Sequence, residues 1–581
     1  MGYPPRVTAA HGLALALLVL GSCVVFSARA QTPPPPPTTP TVVPRSSELA
    51  PLEVVPQKAP PAVAVPPPPR ELAKPDEDVR LDVTRYVVDD NAPPELQAAL
   101  PKLTEAFTGK DRSFESLVNA AAEVTRFLQR ELGYYLGYAY LPEQVPEGGV
   151  VRIAVLEGRL DRVVLNWSDN LPVDRAVVEA YLARLQPGSV LRVRDVERVV
   201  FLLNDLRGIS ARFEVRAGNT PGTAALVVTP RADSSWTGRV DVDANGSRVL
   251  GLYRLGGLVQ KNSPFGRGDG LTATALVSTT GGMSFALVGY NTPLGSDGFK
   301  VGTSLSGVRY QLDKDDPTFA LDFHGSALTA NVYALYPVVR SRNLNLFALT
   351  SYEHKSYTDY ISDTSKRKNV DTIALGSTGD FRDSLLGGGV NTYDVSGVIG
   401  RVNYPEGRTP GLTDAEKFGK LTYGFTRLQD VLTNRVLAYV ALRGQHAAHN
   451  LDTTEQFRIG GPDGVRAFAS GEGTGDSGAV LTAELRFLPP EDWFGRSARE
   501  MVFSLFGDAG YVQYRVEPDA NALRPEANHA KFGGYGIGLA WVKPDTFALR
   551  VSVSKPYTGV ARSDTVVRDP RAYVQLTRPF N

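Results

Sequence analysis

Cysteine is almost absent: Cys23, close to the N-terminus, is the one thiol in 581 residues. An internal disulfide needs two cysteines and a thiolate metal centre needs several, so both are excluded. Methionine (3) and histidine (6) are scarce, and Lys+Arg and Asp+Glu balance at 62 each. A neutral chain has no global basic field with which to recruit nucleic acid or acidic lipid. Beyond the N-terminal segment no run of about 18 apolar residues occurs, so nothing later reads as a membrane-spanning helix. What is abundant is glycine (56), tyrosine and phenylalanine (24 each), at a mean hydropathy of -0.15. That balance excludes a helical membrane bundle but suits a membrane β-barrel, whose inward face is polar.

The first thirty residues read as an export signal. Arg6 supplies a positive start, 13–26 is an apolar core, and Ala28-Arg29-Ala30 has the small-x-small form expected before cleavage. Leu20-Gly21-Ser22-Cys23 also resembles a lipoprotein cleavage box, although Val24, Val25 and Phe26 continue the apolar core past it. Residues 31–78 form a proline-rich linker, with Pro33 to Pro37 and Pro66 to Pro69 in unbroken runs. Such a segment lacks backbone donors and apolar mass, which predicts an extended tether.

Two similar α+β units follow, 79–157 and 158–231. The first reads as a strand over 81–88, helices over 94–107 and 113–132, and strands over 134–140 and 150–156. Leu117, Ala121, Val124 and Leu128 share one face of its second helix, with Ser113 as N-cap and Gly133 as stop. The second repeats the order, with a strand over 163–167, helices over 174–185 and 193–206, and a hairpin of 212–215 with 224–229. Tandem β-α-α-β-β units of this size resemble POTRA domains, the periplasmic modules of outer-membrane insertases and secretion pores.

From 232 to 581 the helical signal stops. Sixteen strands are expected, near 238–245, 250–259, 271–277, 284–290, 300–310, 326–336, 344–354, 371–380, 390–402, 420–428, 435–444, 479–487, 501–514, 533–542, 547–555 and 573–580. Phe547, Leu549, Val551 and Val553 share one face, while Ala548, Arg550, Ser552 and Ser554 share the other. A soluble sandwich could alternate in the same way. The export signal, the even strand count and long odd-numbered connections opposite short even-numbered ones favour a 16-stranded antiparallel transmembrane barrel.

Two segments in this region carry chemistry. Gly460-Gly461-Pro462-Asp463-Gly464-Val465-Arg466-Ala467-Phe468 is a glycine-rich loop bearing an arginine, between strands eleven and twelve. Phe506-Gly507-Asp508-Ala509-Gly510 lies on strand thirteen, where alternation puts Phe506, Asp508 and Gly510 on the lumen face. With the POTRA-like units, these segments resemble the outer-membrane transporters of two-partner secretion (haemolysin-activator and filamentous-haemagglutinin transporters). The likeness covers roughly 79–581 and includes the stretches 243–247 and 262–269 in the first two hairpins.

The resemblance implies that the sixth outer loop folds into the barrel and sets Arg466 near Asp508. A planar guanidinium suits that role, since it binds a carboxylate bidentately and stays charged. Ala467 stands where the family motif has glycine, a departure that is costly if the position needs a positive φ. The resemblance further implies an unfolded secreted partner, captured by the periplasmic units as an extended strand. The exposed edge of the 212–229 hairpin is the candidate acceptor. Phe580 is similar to the C-terminal aromatic read by the barrel assembly machinery, although Asn581 follows it. Some family members plug the pore with an N-terminal helix, which the prolines of 31–69 would break.

The implied location is the outer membrane of a Gram-negative bacterium, with outer-membrane lipid around the barrel and no nucleic-acid partner. No catalytic, cofactor-binding or metal residues are expected. Gly475-Asp476-Ser477-Gly478 matches a serine-protease nucleophile segment only in isolation, and His446 and His449 read as loop residues without a carboxylate frame. The alternative function is barrel assembly, which usually involves more POTRA units. A diffusion porin would not need 79–231.

Overall fold

The computed structural model describes residues 80–581 and the dipeptide 63–64, except 221, 314–321, 363, 408–413, 433–434, 519–527 and 562–568. The expected export signal with Cys23, the last residues before 80, the expected proline-rich linker apart from 63–64, and parts of several connections between barrel strands therefore lie outside the described residues. The earliest element, β1 (Val63–Ala64), belongs to the second unit.

In the first unit, the strand expected over 81–88 is split into β2 (Arg80–Val83) and β3 (Arg85–Val88). At the break Gly149 O accepts from the N–H groups of Thr84 (2.8 Å) and Arg85 (3.4 Å). Helix α1 (Pro94–Thr104) is followed by β4 (Gly109–Ser113), which pairs with β2. β4 has no apolar alternation to reveal it: its sequence is Gly-Lys-Asp-Arg-Ser. Ser113 caps α2 (Phe114–Arg130) by accepting from the Ser116 N–H, and Leu117, Ala121, Val124 and Leu128 are buried on its inner face. Gly133 ends it at φ +66°. β5 (Tyr138–Tyr140) and β6 (Val150–Leu156) complete a sheet ordered β3-β6-β5, parallel and then antiparallel.

The second unit repeats that topology. β7 (Arg159–Leu165) starts four residues before the expected strand, and α3 (Arg175–Leu182) and α4 (Val193–Asn204) follow. β8 (Ile209–Ala217) and β9 (Thr223–Ala232) give the order β7-β9-β8, again parallel and then antiparallel. Val196, Val199, Val200 and Leu203 of α4 are buried against Phe213, Leu226 and Val228 of the sheet. One expectation is corrected here. The β8 edge is not open along its length, because β1 pairs with it in parallel at Phe213 and Glu214. An unpaired strand edge accepts any extended backbone, and a tethered segment of the same chain is always nearby.

The remaining chain closes into a barrel of sixteen antiparallel strands. They begin with β10 (Trp236–Asp243), β11 (Arg254–Asn262), β12 (Gly270–Ser278), β13 (Met283–Pro293), β14 (Lys300–Gln311) and β15 (Phe323–Arg340). Next come β16 (Leu344–Ile361), β17 (Thr364–Asp383), β18 (Gly389–Asn403), β19 (Lys417–Leu432) and β20 (Val436–Ala447). A long loop, with a small ribbon of β21 (Phe457–Arg458) and β22 (Thr474–Gly475), leads to β23 (Ser477–Phe487). β24 (Met501–Gln513), β25 (His529–Lys543), β26 (Phe547–Thr558) and β27 (Arg571–Phe580) close the wall on β10. Every expected strand overlaps an observed one.

Exposed Val242, Leu255, Val288, Leu305, Leu328, Ile373, Ile399, Ile537 and Leu576 cover the outside, while Gln260, Ser306, Asn331, Thr372, Asn391 and Gln445 are buried inside. This is the polarity of a barrel dissolved in lipid, in which closure leaves no wall strand with an unpaired edge.

The second unit packs on even-numbered strand connections and so marks the periplasmic end. Asp174 N–H donates to Gly266 O (2.7 Å) and Arg207 N–H to Gly268 O (3.1 Å), both in the 263–269 turn. Asp205, at the end of α4, accepts two bonds from Arg340 at the end of β15, Nε to Oδ2 (2.9 Å) and Nη2 to Oδ1 (2.7 Å). The Arg340 guanidinium also lies 4.8 Å from the Phe201 ring centroid and donates through Nη1 to Asn345 Oδ1 (2.7 Å).

Candidate functional site: a loop held inside the barrel

The loop between β20 and β23 enters the lumen rather than standing outside. A pinched backbone turn makes this possible. Val465 N–H donates to Ile459 O (2.7 Å), and Gly464 N–H donates to Gly461 O (3.0 Å). Gly461 sits at φ +123°, a conformation that side chains disfavour. At Gly460 a Cβ would come within 2.6 Å of Ala469 O and 2.9 Å of Glu472 Cβ, so the two limbs of the loop touch only because it has none.

The turn delivers Arg466 to the wall. Its Nε and Nη2 donate to Asp508 Oδ2 (2.9 Å) and Oδ1 (2.8 Å), and its own backbone N–H donates to the same Oδ2 (3.1 Å). Nη1 donates to Glu484 Oε1 (2.8 Å) on the neighbouring strand. The guanidinium carbon lies 3.3 Å from the Phe506 ring centroid, a cation–π contact. Asp508 is wholly buried at 0% side-chain exposure, and Arg466 nearly so at 12%. Thr482 Oγ1 donates to Asp508 Oδ1 (3.0 Å), and Ser554 Oγ donates to Arg466 O (2.7 Å).

Most members of the two sequence segments thus have a physical task. Phe506 stacks the cation and Asp508 binds it. At Gly510 a Cβ would meet Val465 Cγ2 at 2.8 Å and Ile459 Cδ1 at 3.2 Å, so the absence of a side chain admits the loop. Phe468 stacks on Phe532 at 4.2 Å, and its carbonyl accepts from Tyr573 OH (2.7 Å). Ala467 is not among the residues of positive φ, so alanine carries no backbone strain there. Its methyl occupies the space where a Cβ on Gly534 would come within 2.6 Å. Gly510→Val is expected to displace Val465 and Ile459 at an overpacking cost of about 1–3 kcal/mol. The barrel should still assemble, and protease added outside intact cells should cleave the loop faster than in the wild type.

Sequence reasoning missed Glu484, Thr482 and Ser554 as partners. Alternation marks Thr482 and Glu484 as polar-face residues of β23, but only the register that sets Thr482 opposite Asp508 and Glu484 opposite Phe506 brings them to Arg466. The stretch 243–247 also reaches this loop, since Ser470 Oγ donates to Asn245 O (2.9 Å). One minor reading is corrected. His446 lies within β20, on its exposed outer face, rather than in a loop. Asp476 is a loop brace: it accepts from Leu451 N–H (3.0 Å), Gln456 Nε2 (2.8 Å) and Val516 N–H (3.1 Å). Phe580 stands on the outward face of β27 with Val574 and Leu576, and packs where a Cβ on Gly238 would be.

Comparison with known proteins accords with this architecture. Residues 222–540 match the model of the haemolysin secretion/activation protein ShlB/FhaC/HecB family, and 81–158 match the ShlB-type POTRA domain. The chain is 25% identical to the heme/hemopexin transporter protein HuxB of Haemophilus influenzae, over 83% of this chain and 84% of that protein. It is 24% identical to the outer membrane transporter CdiB of Dickeya dadantii, over 80% and 81%. Among solved structures, CdiB from Escherichia coli superposes with a TM-score of 0.67 at 20% identity, covering 88% of this chain and 93% of that one. BamA from Haemophilus ducreyi lacking POTRA domains 1-3 gives 0.51 at 13% identity, covering 86% and 100%, which speaks for a shared fold alone. The barrel is seated in the outer membrane with the POTRA-bearing segment in the periplasm, and the chain belongs to the haemolysin secretion/activation ShlB/FhaC/HecB family.

Proposed function

We propose that this chain exports one dedicated partner exoprotein, receiving it unfolded in the periplasm and passing it through the barrel lumen to the cell exterior. The observation that carries the reading is the loop anchored in the lumen by Arg466 on Asp508 and Glu484. A passive pore has no use for docked periplasmic units. The barrel-assembly alternative has the shared fold behind it, whereas the family and the curated relatives are transporters. In this reading the chain performs no chemistry: it is a conduit and not an enzyme.

Residues 1–30 direct export and 31–78 tether. The units 79–157 and 158–231 act as two POTRA domains that take the passenger as an added strand. β5 and β8 are the topologically equivalent sheet edges for that addition, and β1 must leave β8 for its edge to serve. Phe580 and the outward face of β27 present the chain to the barrel assembly machinery, and lipid then covers the wall. No Walker sequence is present and the outer membrane offers no ATP. Folding of the passenger outside, worth about 5–15 kcal/mol per domain, makes passage one-way.

Coexpression in Escherichia coli with the exoprotein encoded beside this chain tests the reading. The wild type is expected to release the exoprotein into the medium, and a variant lacking 79–157, still an assembled heat-modifiable barrel, is expected to retain it. Equal release by that variant, or release from cells without the chain, would overturn the proposal.

A further inference from the structure

The loop that brings Arg466 inward carries a second set of charges, of the opposite sign, nearer the outer mouth. Asp452 and Glu455 occupy one turn of its descending limb, closed by Glu455 N–H donating to Asp452 O (2.9 Å). Lys368 Nζ on β17 donates to both Asp452 carboxylate oxygens (3.0 and 2.9 Å). Lys420 Nζ on β19 donates to Glu455 Oε2 and to Glu455 O (2.8 Å each). Lys355 Nζ on β16 reaches Glu455 Oε1 (2.9 Å) and Glu353 Oε2 (2.9 Å). The side chains of Glu455, Lys420 and Asp452 are only 3%, 5% and 6% exposed, so these are buried charges and not a solvated rim. Three wall cations meet Glu353, Asp452 and Glu455, with Asp359 of β16 also close to Lys368, and two of these four carboxylates come from the loop.

An apolar layer fills the same part of the lumen. Tyr357, Val370, Val402 and Phe418 from the wall pack in one buried cluster with Leu451 from this loop and Val249 and Leu250 from the connection after β10. Lys368 and Lys420 lie close to the outer ends of their strands, whereas Asp508 is in the middle of β24. The loop is therefore fixed at two depths.

We infer that Asp452 and Glu455, with Lys355, Lys368 and Lys420, form a second anchor that holds the outer limb of the loop across the mouth and gates the pore there independently of Arg466. Lifting the limb would strip three buried ammonium groups of two of their anions, so the closed state is favoured electrostatically as well as by apolar contact. An emerging passenger must displace this limb, and the anchor residues are positioning residues for transport.

Single-channel recording of the full chain in planar bilayers tests the anchor. Glu455→Gln keeps the shape and removes one anion, and is expected to raise the open probability by about tenfold or more over a mostly closed wild type. Adding Lys355→Met to Glu455→Gln removes one of the two cations that the lost carboxylate had bound and is expected to return the channel toward closure, a coupling that simple loss of packing would not give. A Glu455→Gln channel as closed as the wild type, or a double variant as open as the single one, overturns the inference.

A second variant covers failed assembly of the first. Asn450 Nδ2 donates to Glu517 O (2.8 Å) and Glu517 N–H donates to Asn450 Oδ1 (2.8 Å), so the pair Asn450→Cys and Glu517→Cys should cross-link the outer limb to the next outer loop. Oxidation is expected to stop exoprotein release and reduction to restore it; unchanged release under oxidation sinks the gate. This arm rests on the secretion reading, and the conductance arm does not. Absence of release in both redox states from a channel that gates as described would count against the secretion reading alone.

Discussion

Arg466→Ala is expected to leave an assembled, heat-modifiable barrel that secretes little. The substitution leaves Asp508, at 0% side-chain exposure, without its cation, while Glu484, at 10%, keeps Arg486, whose Nε donates to its Oε2 (2.8 Å). Removing one partner of a buried pair costs about 3–5 kcal/mol, chiefly through the uncompensated charge left behind. That shifts the balance between docked and released loop by roughly two to four orders of magnitude. The wall itself loses no ladder bonds, which is why assembly should survive. Arg466→Lys keeps the charge but loses the two-pronged geometry on Asp508 and the flat contact with Phe506, so an intermediate secretion level is expected. Gel mobility with and without heating, together with exoprotein in the medium, separates the outcomes. Normal secretion by Arg466→Ala would remove the residue from the transport mechanism. Failure to assemble would make the pair a structural brace.

Asp205→Ala is expected to free the second periplasmic unit from the barrel while leaving both folded. Arg340 is 6% exposed, and its two bonds to Asp205 are a buried ionic contact between these parts. Without the carboxylate, the guanidinium keeps Asn345 and the Phe201 ring but no counter-charge, a loss of about 3–5 kcal/mol in docking. Hydrogen exchange should rise at the 263–269 turn and at the end of α4, with the barrel strands unchanged. The double variant Asp205→Leu with Arg340→Met should recover much of the docking, because replacing a buried ion pair by apolar groups of similar volume is often neutral. Unchanged exchange in Asp205→Ala would mean that backbone contacts such as Asp174 to Gly266 suffice for docking.

The two segments that drew attention in the sequence carry their meaning in side-chain type. Phe506, Asp508 and Gly510 alternate on one strand, so their common face follows from the two-residue period. The position of Arg466 between the eleventh and twelfth strands follows from counting. Glu484 was visible as a polar-face residue but not as a partner, because a face is a property of one strand and a register is a property of two. β4 was invisible, since five polar residues carry no periodic signal. The coverage of β8 by β1 was misjudged for a related reason: a proline-rich tether shows where it can extend, not which edge it will meet.

The amino-acid order alone determined the two repeated α+β units, the number of wall strands, their inward and outward faces and the two segments bearing Arg466 and Asp508. These depend on short-range periodicity, on caps and turns, and on residue chemistry, all written within a few neighbouring positions. Tertiary structure alone decided that Glu484 shares the guanidinium, that Asp205 meets Arg340, and that three lysines from separate strands close on Asp452 and Glu455. Those meetings depend on how closure staggers sixteen strands and how far one loop descends between them, and both are set by pairings between residues distant in the chain.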